Sequence, residues 1–169
     1  MWNDTETPLA YLITFRCYGT WLHGDDRGST DRVRNIYKSP HIERSQRWER
    51  HNRRLLKHNP VTLNAHQRTS VEDAIRDTCK KRDWYLHALN VRTNHVHSVV
   101  STRGKKSSIA LNALKANATR QMRHDGNWTE TNSPWADKGS KRNLWNERSI
   151  AAAIDYVLNG QGGPLPDLD

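Results

Sequence analysis

Apolar positions recur along this chain on two periods, and the change of period marks its elements. Residues Tyr11–Cys17 (YLITFRC) are aromatic and β-branched and predict a first strand. A loop rich in Gly and Asp follows over Gly19–Ser29. From Ser39 to His58 charge dominates around Ile42, Leu55 and Leu56, predicting a helix that ends before Pro60. That stretch is dense in Arg, Lys and His, and is either a solvated face or a surface that contacts a nucleic-acid backbone. A second helix is predicted over Asn64–Lys81, with Val71, Ala74, Ile75 and Thr78/Cys79 at helical spacing and Asn64 as N-cap. Trp84–Val91 and Val96–Ser101 read as strands, joined through Arg92-Thr93-Asn94 into an antiparallel hairpin. Ser107–Arg123 is a third helix carrying Ile109, Leu111, Leu114, Ala118 and Met122. Gly126–Gly139 is a loop, and Lys138–Arg142 continues it as a flexible basic segment. The last helix spans Ser149–Asn159 and stops at Gly160, Gly162, Gly163 and Pro164. Strands and helices without strict βαβ alternation predict an α+β fold, an antiparallel sheet with packed helices. A length of 169 residues favours one domain over 1–169.

Two places break the pattern. On the last helix, at ~100° per residue, Ile150, Ile154, Val157 and Leu158 gather as the core face. Tyr156 lies off that stripe, toward Ser149 and Ala152, and is either a surface tyrosine or a phenol presented to a cleft. On the strand after the hairpin turn, His95 and His97 share one face and Val96 takes the other. The pair is either two polar residues on a wet sheet face or a metal-binding edge short of a third ligand. No CxxC or HExxH motif is present, which disfavours a zinc finger or a zincin.

Composition narrows the partner. Hydrophobic residues are 34% of the chain, so the core must be lean, with seven Trp and five Tyr compensating through large buried areas. The net charge of +9 is spread along the chain and points to a polyanion, nucleic acid first. Cys17 and Cys79 form no disulfide framework, and no signal peptide or membrane span is expected, so a cytoplasmic protein is predicted.

Thr93-Asn94-His95-Val96-His97, followed by Ser98-Val99-Val100, resembles the HUH motif (His, hydrophobic, His) of single-tyrosine transposases, which include insertion-sequence-200-like and REP-associated tyrosine transposases. Tyr11–Arg16 resembles their first strand, Ala113–Arg120 the helix after the HUH strand, and Ala153–Asn159 the helix carrying their tyrosine. The resemblance implies a ferredoxin-like/RRM-like HUH endonuclease fold. It implies a metal-dependent endonuclease and strand transferase acting on single-stranded DNA near hairpins, with Tyr156 as nucleophile, His95 and His97 as metal ligands, and Mg²⁺ or Mn²⁺ as cofactor. A phenol, with a reference pKa of ~10, attacks a phosphodiester when a metal stabilises the developing charge. The chain departs from the family at the third ligand. In the family a Gln or Asn lies four residues after the tyrosine; here that position is Gly160, flanked by Asn159 and Gln161. Gln161 is slightly favoured, because glycines on both sides make its backbone adaptable. Basic candidates for DNA contact are Arg16, Lys105, Lys106, Lys115, Arg120, Lys141 and Arg142, and Trp21, Trp128, Trp135 and Trp145 are candidate stacking platforms. The runner-up is a non-catalytic hairpin DNA/RNA-binding module of the same fold. The family contains monomers and homodimers, so Tyr156 acts either in cis or in trans.

Overall fold

The computed structural model describes residues 7–20, 46–163 and 165. Trp21 and most of the Gly19–Ser29 loop, with Asp25, Asp26 and Arg27, lie outside the described residues, as does the start of the helix predicted over Ser39–His58. The chain divides into two compact units, Met1–Cys17 with Thr62–Asp169, and Tyr18–Val61.

The larger unit holds β1 (Ala10–Arg16), α2 (Ala65–Lys81), β2 (Tyr85–Val91), β3 (His95–Ser101), α3 (Ser107–His124), β4 (Ser140–Leu144) and α4 (Glu147–Asn159); the smaller holds α1 (Gln46–Arg54). The sheet order is β2-β3-β1-β4 with each neighbouring pair antiparallel. A βαββαβ core with this strand order is the ferredoxin-like arrangement, and α4 is an addition to it.

Local chemistry starts the helices. Asn64 Oδ1 accepts from Gln67 N at 2.8 Å while Gln67 Oε1 accepts from Asn64 N at 2.9 Å, a reciprocal cap at the predicted residue. The last helix begins earlier than Ser149, because Asn146 caps it: Asn146 Oδ1 accepts from Ser149 N at 2.8 Å. The Lys138–Arg142 segment also differs from expectation, since residues 140–144 are an edge strand rather than a loop. Its signal is hidden because Ser140, Lys141, Arg142 and Asn143 are all exposed, so no apolar alternation marks it. Main-chain pairing with β1 makes the strand, and its lysine and arginine discourage further strand addition at that edge. Gly139 leads into it, where a Cβ would sit 2.8 Å from Thr14 O.

Register divides the side chains between two faces. Leu12 faces Val99, and Thr14 faces His97. Ala10, Leu12, Thr14, Arg16, His95, His97 and Val99 therefore share one side, while Ile13, Phe15, Val96, Ser98 and Val100 occupy the other. The second side is fully buried, beneath α2 and α3, where Val71, Ile75, Leu114, Ala118 and Met122 are also buried. Trp135 belongs to this core: its ring meets Phe15 edge-on at 4.8 Å, and its Nε1 donates to Lys115 O and Thr119 Oγ1. It is thus not available for base stacking. On the first side, Ala10, Leu12, Ala88, Val99 and Leu144 pack against Ala153 and Val157 of α4, with Ile150 and Ile154 at the margin. Leu158, expected in that stripe, is instead 54% exposed. No helix among the described residues is long and apolar enough to cross a membrane.

Candidate active site

The apolar cover over α4's side of the sheet stops partway along β1 and β3. Beyond Leu12 and Val99, the same face continues as Thr14, Arg16, His97 and His95. Helix α4 ends over this polar stretch, with Asn90 Nδ2 donating to Val157 O at 2.9 Å and Arg92 Nη2 donating to Gly163 O at 3.0 Å. Both tethers come from the β2–β3 hairpin, so the segment that positions the histidines also holds the end of the tyrosine helix.

The two imidazole rings lie 4.6 Å apart, centroid to centroid, and the Tyr156 ring meets His97 edge-on at 5.3 Å. Tyr156 is 47% exposed, as its place off the apolar stripe predicts. His97 is buried, and its Nδ1 shares a 2.7 Å hydrogen bond with Thr14 Oγ1. Burial, and then the neighbouring His95, push its pKa down to about 4, against a hydrogen bond to Gln161 that acts to raise it. The ring is therefore neutral near pH 7, the form that ligates metal.

His95 Nδ1 lies 2.6 Å from Asn94 Oδ1. A carboxamide oxygen only accepts, so Nδ1 is the donor in this pair. On the other edge of the ring, Nε2 lies within hydrogen-bond reach of Gln161 Oε1, at 3.2 Å. The Gln161 carboxamide cannot turn to offer a donor without loss, because its Nε2 already donates to Tyr156 O at 3.0 Å. Among the described residues no group of three or more His, Cys, Asp or Glu assembles, so the donors at the site are two imidazole nitrogens and one carboxamide oxygen. This set fits a divalent cation that accepts nitrogen and oxygen together.

Asn159, the other carboxamide near the tyrosine, points elsewhere: its Nδ2 donates to Asp155 Oδ1 at 2.8 Å on the exposed side of α4. Gly160 explains the difference. A Cβ there would sit 2.7 Å from Tyr156 O and 3.2 Å from its Cδ2, so a side chain at this position would press on the tyrosine. With glycine in place, the chain ends its helix at Gly160 and the next residue, Gln161, folds back to the histidines.

The basic candidates are dispersed. Arg16 pairs in register with His95, and Arg142 lies opposite Leu12, so both share the histidines' face. Lys141 is opposite Ile13, toward the α3 side. Lys105 and Lys106 follow β3, close to the histidines in sequence but not in space: Ser101 is six residue steps along the strand from His95, ~20 Å at ~3.3 Å per residue. Lys115 and Arg120 lie on α3, across the sheet. The Lys115 Nζ donates to Ala136 O and Lys138 O, both at 2.8 Å, and burial lowers its pKa. Trp145 is 51% exposed. Sequence reasoning missed Thr14, Asn90 and Asn94 as supports of the site, because a polar residue on a strand shows its partner only through strand register. Neither cysteine is in a disulfide and both are buried, and burial raises Cys17 to about 12 and Cys79 to about 11, which disfavours either as a thiolate nucleophile near neutral pH.

Among solved structures, the chain is similar to a REP-associated tyrosine transposase bound to a REP hairpin (12% identity, 93% of this chain, 69% of that chain, TM-score 0.50). It is also similar to a protein assigned as a transposase from Deinococcus radiodurans R1 (14% identity, 96% of this chain, 98% of that chain, TM-score 0.49). No protein of curated function matches the chain. The family model described as "Transposase IS200 like" matches residues 52–157, well over half of the sequence, and spans the histidine pair and Tyr156. The chain belongs to the IS200-like transposase family.

Proposed function

We propose that this protein is a metal-dependent endonuclease and strand transferase for single-stranded DNA, with Tyr156 as its nucleophile. The observation that carries the reading is the convergence, at the end of one helix, of the Tyr156 ring and the Gln161 carboxamide on His95 and His97. His95, His97 and Gln161 would hold Mg²⁺ or Mn²⁺, with Thr14 and Asn94 fixing the rings from behind. When bound, the ion supplies Lewis-acid stabilisation of the charge on the scissile phosphate.

In the reaction the phenolic oxygen of Tyr156 forms a bond to phosphorus and the P–O3′ bond breaks. The phenol proton leaves to solvent and the departing 3′-oxygen takes up a proton. DNA is left as a 5′-phosphotyrosine and a free 3′-hydroxyl. One phosphoester replaces another, so the 3′-hydroxyl of another strand reverses the step and completes strand transfer with no external energy source. Arg16 and Arg142, on the same face of the sheet, are the basic residues best placed to receive the phosphates beside the cleaved bond. The hairpin bound by the structurally similar REP-associated transposase supports hairpin DNA as the target.

The test is a labelled single-stranded oligonucleotide bearing a hairpin, incubated with protein and Mg²⁺ or Mn²⁺. A denaturant-resistant protein–DNA adduct is expected from wild type and not from Tyr156→Phe. Equal adduct from both proteins sinks the nucleophile. Calorimetric titration of Mn²⁺ into His97→Ala and Gln161→Ala is expected to show weakened binding, and unchanged affinity in both sinks the ligand set.

A further inference from the structure

Helix α1 stands apart from the reaction described above. Its nine residues, QRWERHNRR, include four arginines and a histidine. At ~100° and ~1.5 Å per residue, Arg47, Arg50 and Arg54 fall within ~60° of one another along ~10 Å of helix, with His51 beside them. All four are exposed. Helix α2 handles its charges differently. There Arg76 pairs with Glu72 and Lys81 with Asp77, each at 2.8 Å across one helical turn. Arg47, Arg50 and Arg54 have no such acidic partner among the described residues, and their i,i+3 and i,i+4 spacings set like charges against each other.

Burial of the arginine stripe does not account for this helix. The end of α1 is instead pinned within its own unit: Lys57 N donates to Tyr18 Oη at 3.0 Å, Val61 N donates to Tyr18 O at 2.8 Å, and the Tyr18 ring meets His58 edge-on at 5.8 Å. A short, anchored helix thus presents three guanidinium groups in fixed spacing at a cost in self-repulsion. Guanidinium forks match phosphate oxygens bidentately. A duplex stem offers phosphates already held in a regular row, whereas a single strand must first be ordered. Arg47 and Arg50 also precede the family-matched segment, so they are not part of what the chain shares with that family model.

We infer that the Arg47–Arg50–Arg54 stripe of α1 is a second DNA contact that grips the phosphate backbone of a duplex stem, separate from the Tyr156 chemistry. The inference rests on the reading of this protein as a DNA-binding transposase. It is tested with the full-length protein by fluorescence anisotropy across a salt series. One probe is a labelled hairpin oligonucleotide and the other an unstructured strand of equal length. Replacing all three arginines (Arg47→Gln, Arg50→Gln, Arg54→Gln) keeps good helix formers. It is expected to flatten the salt dependence of hairpin binding by about 0.9 in log–log slope per lost contact, roughly 2 to 3 in all. The effect on the unstructured strand is expected to be smaller. The matching lysine triple variant should restore the hairpin slope, since it restores the charge. A wild-type slope in the glutamine variant overturns the stem contact and leaves the Tyr156 reading intact. A lysine variant whose salt slope is as flat as the glutamine one overturns it too, since the slope follows the charge placed on the phosphates. Wild-type protein with no salt-dependent affinity for either probe overturns both readings.

Discussion

On one side of the sheet, Ile13, Phe15, Val96 and Val100 disappear beneath α2 and α3; on the other, α4 covers Leu12 and Val99 and then stops, leaving Thr14, Arg16, His95 and His97 at its end. The same two strands build both sides, residue by alternate residue. The closed side is an apolar layer broken only by the Ser98 hydroxyl among the strand residues named above, and there the nitrogen of Trp135 finds acceptors. The half-open side trades apolar burial for polar side chains held by neighbours: Thr14 on His97, Asn94 on His95, Asn90 and Arg92 on the end of α4. Stability and candidate chemistry are thus separated across the thickness of one sheet.

Substitutions on each side test that separation. The largest expected effect is Phe15→Ala, which removes a fully buried ring from the closed side and should cost about 3–5 kcal/mol in urea unfolding. A loss below ~1 kcal/mol would mean that this side does not carry the stability assigned to it. By contrast Tyr156→Phe, on an exposed ring, should change stability by no more than ~0.5 kcal/mol while abolishing the covalent adduct.

Next comes Gly160→Ala, whose new Cβ would collide with Tyr156 O. Relieving that contact shifts the helix end, at about 1–3 kcal/mol. Adduct formation should fall by more than the stability loss explains, because Tyr156 and Gln161 move together. Unimpaired cleavage would show that the glycine is incidental.

Asn90→Ala removes one hydrogen bond to Val157 O and should cost about 1 kcal/mol. It should also slow cleavage without changing hairpin affinity, and a reduced affinity with unchanged rate would argue against a role in placing the helix. The smallest effect is expected at Ser98, on the closed side, whose fully buried hydroxyl has no hydrogen-bond partner among the described residues. Ser98→Ala should raise stability by up to ~1 kcal/mol, since it deletes a desolvated, unpaired group. A loss of stability would point to a partner for that hydroxyl.

The sequence alone determined most of the architecture. Its alternation named three strands, its helical spacing named α2, α3 and α4, and Asn64 announced its own cap, all because burial of one face imposes a period on the residues that line it. The i,i+2 spacing put His95 and His97 on one face, and the 100° step put Tyr156 outside the apolar stripe. Where no face is buried there is no period to read, and β4 therefore passed as a loop. Tertiary structure decided everything that depends on which residues become neighbours across the chain. Strand register aligned Arg16 and Thr14 with the histidines, and the rise along β3 carried Lys105 and Lys106 away from them. The different placement of Asn159 and Gln161 was decided there as well: one carboxamide is tied to Asp155, while Gly160 ends the helix and lets the other fold back onto His95. Spacing along one element is a local property that residue order carries. Contact between the end of α4 and the β2–β3 hairpin, some 66 residues distant for His95 and Gln161, exists only once the sheet has closed and the helix has docked on it.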